Sequence, residues 1–167
     1  MVIRPIGPED AHREQTFVRG LSPESRYLRF LNTLRELSPE MLERFTRPDP
    51  AREIALVALS ASAMDAVPAA EPLEVVPLQI GVARCVRAAS GEQGEFAIVV
   101  ADAFQGKGLG TLLMQALMES ARAAGLRRIE GLVLATNRRM LELMGSLGFT
   151  VHTATDDPRM RRVVKQL

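Results

Sequence analysis

The stretch from Glu95 to Gly125 constrains this chain more than any other: a strand-length apolar run, a glycine-rich turn, and a long helical pattern follow without interruption. Glu95-Phe96-Ala97-Ile98-Val99-Val100 has strand character, and Leu109, Leu112, Leu113, Ala116, Leu117, Ser120, Ala121 and Ala124 recur at helical offsets before Gly125 supplies a stop. Between them, Gly106, Gly108 and Gly110 stand at alternate positions, so backbone N–H groups can approach a ligand without Cβ obstruction. The first N–H groups of a helix lack internal acceptors and sit at its positive end, which makes this loop a candidate cradle for a phosphate or pyrophosphate. Lys107 adds a mobile cation. Neither familiar nucleotide motif fits. A Walker loop requires Ser or Thr after the lysine, where this chain has Gly108. The dinucleotide pattern G-x-G-x-x-G ends on Thr111 or Leu113, depending on the register.

The rest of the chain supports one mixed α/β domain over residues 1–167. Val2 to Ile6 reads as a short strand. Three helical segments follow, begun by Pro8-Glu9-Asp10, Ser22-Pro23-Glu24 and Ser38-Pro39-Glu40, in which prolines and acids occupy first-turn positions. Tyr27, Leu28, Phe30, Leu31 and Leu34 form the expected buried side of the second. Arg52 to Ala61 and Val75 to Arg87 read as strands, with a long loop or hairpin connection over residues 60–73 between them. After the long helix come a strand at Arg128 to Leu134, a helix capped by Thr136-Asn137 and ended by Gly148, and a last strand from Met160 to Val164.

Composition excludes several classes of function. With 21 Lys+Arg against 20 Asp+Glu the formal charge is +1, which leaves no broad basic surface for nucleic acid. Cys85 is the only cysteine, and with His12 and His152 far apart in sequence neither a disulfide nor a metal centre is expected. No apolar run reaches the length of a membrane span and the N-terminus has no signal-peptide pattern, so a cytoplasmic location is the expectation.

Gln105-Gly106-Lys107-Gly108-Leu109-Gly110 matches Q/R-x-x-G-x-G/A, and the strand before it, Phe104, the helix after it, and the later Asn137 with Leu147-Gly148-Phe149 complete a context. Together these resemble the GNAT superfamily of N-acetyltransferases over nearly the whole chain. Ile3-Arg4-Pro5-Ile6, Leu21 to Phe30 and Glu95 to Val100 are further similar to the acetyltransferase domain of bacterial protein lysine acetyltransferases. The resemblance implies a central, mostly antiparallel mixed sheet flanked by helices, with acetyl-CoA as co-substrate and an amine acceptor, protein lysine first among them. It implies that Gln105, Gly106, Lys107, Gly108, Gly110 and Thr111 surround the pyrophosphate. Backbone groups near Val99 and Val100 would pair with the pantetheine arm, and Asn137 would contact that arm, although helix capping explains Asn137 nearly as well. The final strand of such domains can pair across a homodimer.

Acetyl transfer to an amine needs a proton acceptor and a stabilised oxyanion. Glu95 matches the position where lysine-acetylating members place a glutamate base. The plain alternative is a strand-end acid beside the Gly91 to Gly94 turn. Met144 departs from the family pattern, in which a tyrosine often serves there as general acid; methionine has no proton to donate. Tyr27, the only tyrosine, reads as a half-buried packing residue, Cys85 as core, His12 and His152 as surface or packing positions, and Met114, Met118 and Met140 as helix core. Arg159, Arg161, Arg162 and Lys165 read as a solvated strand face. A small-molecule amine acceptor and a non-catalytic acyl-CoA-binding module remain the alternative functions.

Overall fold

The computed structural model describes residues 1–60 and 77–167. Seven strands form one sheet: β1 (Val2–Pro5), β2 (Glu53–Ser60), β3 (Leu78–Arg87), β4 (Gln93–Val100), β5 (Arg128–Leu134), β6 (Thr150–Thr153) and β7 (Met160–Gln166). Helices α1 (Ala11–Gly20), α2 (Pro23–Phe30) and α3 (Pro39–Thr46) lie between β1 and β2, α4 (Leu109–Ala123) joins β4 to β5, and α5 (Arg138–Ser146) precedes β6. The spatial order is β1-β2-β3-β4-β5-β7-β6, antiparallel throughout except for β4 beside β5. This is the mixed, mostly antiparallel sheet expected. The loop expected at residues 60–73 falls almost entirely outside the described residues, as do the first residues of the strand expected from Val75.

Apolar residues on both faces of the sheet explain its two helical layers. On one face, Leu113, Met114, Leu117 and Ala121 of α4 are fully excluded from water and pack with Ala58, Ile80, Phe96, Ile129 and Phe149. Truncating Leu113, Met114 or Leu117 to alanine costs about 2–5 kcal/mol, because the cavity left behind collapses only partly. On the other face, Phe17, Val18 and Leu21 of α1 join Leu37, Val82 and Val99. Cys85 is 1% exposed, and burial pushes its thiol up to about 11. Met144 is likewise enclosed in the α4 core.

Two readings of α2 are corrected. The helix stops at Phe30 because Leu31 turns left-handed, with φ of 53°, while its N–H donates to the Tyr27 carbonyl at 2.8 Å. Phe30 and Leu34 pack on the α1 cluster, but Tyr27 and Leu31 are 46% and 48% exposed rather than buried. Local pattern identified the helix but not the face it turns to the sheet, which α1 and α3 determine. No helix among the described residues is long and apolar enough to cross a membrane.

The feature that positions a site is the short contact between β4 and β5. Only three parallel pairs form, Gln93↔Arg128, Gly94↔Ile129 and Glu95↔Glu130, and beyond them the strands separate. Just past the last pair, a Cβ on Gly131 would lie 2.9 Å from the Phe96 ring, so glycine permits the close approach from which the strands diverge.

Candidate active site

A cleft of about 1090 Å³ opens where β4 and β5 part, walled by α2 on one side and by the α4 and α5 N-termini on the other. Its floor is the unpaired backbone edge of β4. Ala101 N–H donates to Ile80 and Ala88 N–H to Gln93, which fixes the alternation of the β3–β4 ladder. Odd-numbered residues of β4, Val99 included, therefore spend their backbone groups on β3. The groups turned toward the cleft belong to Ile98 and Val100. Val99 and Val100, the two valines expected to supply backbone contacts, both line the cleft, but Val99 is largely core with its backbone polar groups turned to β3, and Ile98 is the residue the sequence reading missed. Register decided this, and register follows from tertiary pairing.

At the upper end stands the glycine loop. Gly106 and Gly108 have φ of 72° and 82°, a region costly for other residues, and Gly108 begins α4 without any capping side chain. No acid lies in the first turn of α4, so nothing competes with an incoming anion. Gly106, Gly108, Gly110 and Thr111 all line the cleft. Lys107 does not line it; its ammonium lies 5.5 Å from the Phe104 ring centre.

Gln105 lines the cleft, yet its side chain is occupied in holding the walls together. Its amide donates to the Val100 carbonyl at 3.0 Å and to Ser25 Oγ at 3.1 Å, and its carbonyl accepts from Arg139 at 3.3 Å. Ser25 in turn donates to Asp102 at 2.8 Å, and Asp102 also accepts from the Ser22 N–H and hydroxyl at 2.9 and 2.8 Å. Partial burial would raise the Asp102 pKa, but these hydrogen bonds outweigh it and hold the carboxyl below its ordinary value. Helix α2 is thereby tied to the loop. The sequence reading missed this tie, since Asp102 and Ser22 lie 80 residues apart.

Asn137 performs the expected capping, accepting from the Met140 N–H at 3.2 Å, while its residue also lines the cleft. Capping uses the side-chain oxygen and leaves the amide donors for a ligand. Arg138 and Arg139, also missed, stand beside it on the cleft wall; their signal was the doubled arginine directly after the cap.

Glu95 is exposed and sits on the last paired rung, opposite Glu130. It lines a smaller cavity of about 110 Å³ with Glu130, Gly131, Leu132 and Arg162, and Gly131 and Leu132 also line the main cleft. Glu130 is held by Arg128 at 2.6 Å and Arg162 at 3.1 Å, so the arginines neutralise that neighbour and not Glu95. Arg162 is thus an ion-pair partner rather than part of a solvated face. His12 and His152 are exposed. Beneath the α2 wall lies a buried cluster in which Arg84 pairs with Glu53 at 2.9 Å and Glu14 at 3.8 Å, while Gln79 donates to Glu14. Burial raises the Glu14 pKa, against the lowering by Gln79 and Arg84. Among the described residues no group of three or more His, Cys, Asp or Glu is placed to hold a metal ion.

Comparison with known proteins agrees with this architecture. Residues 36–149 match the model of the Acetyltransferase (GNAT) family. An acetyltransferase of Pseudomonas aeruginosa is 34% identical over 157 residues, covering 94% of this chain and 78% of that one. The acetyltransferase Pat of Mycolicibacterium smegmatis is 31% identical over 147 residues, 87% of this chain but 40% of that longer protein. Among solved structures, the GNAT domain of S. lividans PAT superposes with a TM-score of 0.83 at 28% identity, covering 99% of this chain and 89% of that one. With a family match over most of its length, the split β4–β5 pair and a glycine loop at the head of α4, this chain belongs to the GNAT family of acetyltransferases.

Proposed function

We propose that the chain moves an acetyl group from acetyl-CoA to a primary amine by direct transfer in a ternary complex, with Glu95 as the base. The observation that carries this reading is the β4–β5 split: it opens a trough from the α4 N-terminus along the open edge of β4, and Gly131 and Leu132 at its foot also line the smaller cavity that bears Glu95. The residues present fit the co-substrate. The loop of Gly106, Gly108, Gly110 and Thr111 offers N–H groups and the positive end of α4 to a pyrophosphate, with Gln105 bracing the loop from within. Arg138, Arg139 and the Asn137 amide offer donors on the opposite wall. Bound there, acetyl-CoA supplies an activated thioester carbonyl. The Ile98 backbone groups and the Val100 N–H align the arm, and an N–H donor there polarises that carbonyl, the Val100 carbonyl being taken by Gln105.

Glu95, paired with no arginine among the described residues, takes the proton released as the amine nitrogen forms its bond to the carbonyl carbon, directly or through a water. The carbon–sulfur bond then breaks. Met144 is buried in the α4 core and has no proton to give, so the departing thiolate is protonated by solvent. Protein lysine is the acceptor favoured by the resemblance of Leu21 to Phe30 and Glu95 to Val100; small amines are the competing class.

Release of free thiol tests the reading. Glu95→Gln should keep acetyl-CoA affinity and lower kcat about 100-fold or more in a chemistry-limited assay. An unchanged kcat removes Glu95 from the mechanism. Tight acetyl-CoA binding with no thiol release across proteins, peptides and amines would instead favour a non-catalytic acyl-CoA-binding module.

A further inference from the structure

The α2 wall of the cleft carries a cation that the transfer chemistry does not use. Arg29 lines the cleft and is only partly accessible, and among the described residues it makes no ion pair and no hydrogen bond. Its guanidinium is nonetheless held in place. It lies 5.0 Å from the Phe30 ring centre, and Phe30 stacks on Phe45 at 6.4 Å, which also meets the Arg84 guanidinium at 4.6 Å and that of Arg44 at 5.2 Å. A guanidinium fixed over a ring loses little further freedom when an anion arrives, and its N–H donors match a carboxylate in a fork.

The surrounding charges leave that place open. Glu14 and Glu53 are near enough to be felt at Arg29, but both are engaged by Arg84. Glu24 and Glu142 also line the cleft and pair with nothing at Arg29. Burial and the charge of Arg84 lower the Arg29 pKa to about 10, so the group stays charged at neutral pH in surroundings that penalise an uncompensated cation. An incoming anion relieves that penalty.

Its position separates it from the co-substrate's phosphates. Those have donors at the α4 and α5 N-termini. Arg29 lies one helical turn along α2 beyond Ser25, the residue that meets Gln105, and its electrostatic neighbour Arg84 pairs in register with Ala97, two residues from Glu95 on the same face of β4. We propose that Arg29 is a specificity-determining residue for the acceptor, receiving a carboxylate that the acceptor carries close to its reacting amine. This rests on the acetyl-transfer reading for its name of acceptor, but its test does not depend on turnover.

The test measures equilibrium binding by calorimetry to the full chain loaded with CoA. One arm compares lysine peptides with Asp or Glu beside the lysine against the same peptides with Asn or Gln. The other compares 5-aminopentanoate with pentylamine. An advantage of about 10-fold or more for the acid-bearing ligand is expected in at least one arm, and the arm that shows it identifies a peptide or a small amino acid as the source. Arg29→Gln should abolish that advantage while leaving CoA affinity unchanged, and Arg29→Lys should restore part of it. Equal affinity in both arms, or an advantage that survives Arg29→Gln, overturns the proposal. Thiol release in the same panel reports on the transfer reading separately: turnover without a carboxylate preference sinks this inference alone, and carboxylate-selective binding without turnover sinks that reading alone.

Discussion

Asp102 offers the sharpest test of how the cofactor loop and the acceptor wall are joined. In Asp102→Asn the side chain keeps its shape but loses its charge, and an amide cannot accept from both the Ser22 and Ser25 hydroxyls and the Ser22 N–H as the carboxylate does. Three hydrogen bonds at about 1 kcal/mol each, discounted because two are exposed to solvent, give a loss of about 2 kcal/mol. For a domain of this size that lowers Tm by about 4–8 °C. The loss has a pH signature. The folded carboxyl titrates below its ordinary value, so its contribution is fully present above the unfolded pKa and disappears as pH falls through the folded one. The gap between wild type and variant should therefore be complete at pH 7 and shrink on acidification. Loosening α2 should also raise the acceptor KM several-fold, more than it changes kcat. A variant with wild-type Tm at pH 7 and an unchanged acceptor KM would show that the tie carries no weight.

Three further outcomes follow from the same structure. Gly108→Ala places a Cβ at φ of 82° and should cost about 1 kcal/mol in a urea titration while weakening acetyl-CoA binding; unaltered affinity would mean the loop tolerates a different backbone. Cys85, buried with its thiol near 11, should react with an aromatic disulfide at pH 8 only as fast as the protein opens, so a rapid stoichiometric reaction in the native state would contradict its place in the core. Glu14 has a raised folded pKa, so whatever it contributes is held at low pH and lost as pH rises through that value. Relative to wild type, Glu14→Gln should thus gain stability as pH rises through that raised value, and a gap that is flat or moves the other way refutes the assignment.

The fate of Met144 and Gln105 bears on how this family chemistry is carried here. Met144 is sealed in the core and carries no ionisable proton, so any proton for the leaving thiolate comes from another source. Gln105 turns its amide inward to Val100 and Ser25, which makes the motif residue a brace for the anion loop rather than one of its donors.

Local pattern alone determined a good deal. The glycines at 106, 108 and 110, the apolar period of α4 and the prolines after Ser22 and Ser38 specify the loop and the helices that begin there, because capping, positive φ and amphipathic spacing act over a few residues. The GNAT assignment was legible for the same reason. What the sequence could not determine depends on long-range register and on which face each element turns to its neighbours. It could not show that β4 and β5 pair over three rungs and then part, that the backbone groups of Ile98 rather than those of Val99 turn to the gap, or that Tyr27 and Leu31 point outward. Nor could it bring Asp102 to Ser22, or leave Arg29 over Phe30 with no acid paired to it among the described residues. Those are outcomes of packing two helical layers on a twisted sheet, where partners tens of residues apart are chosen by the whole fold.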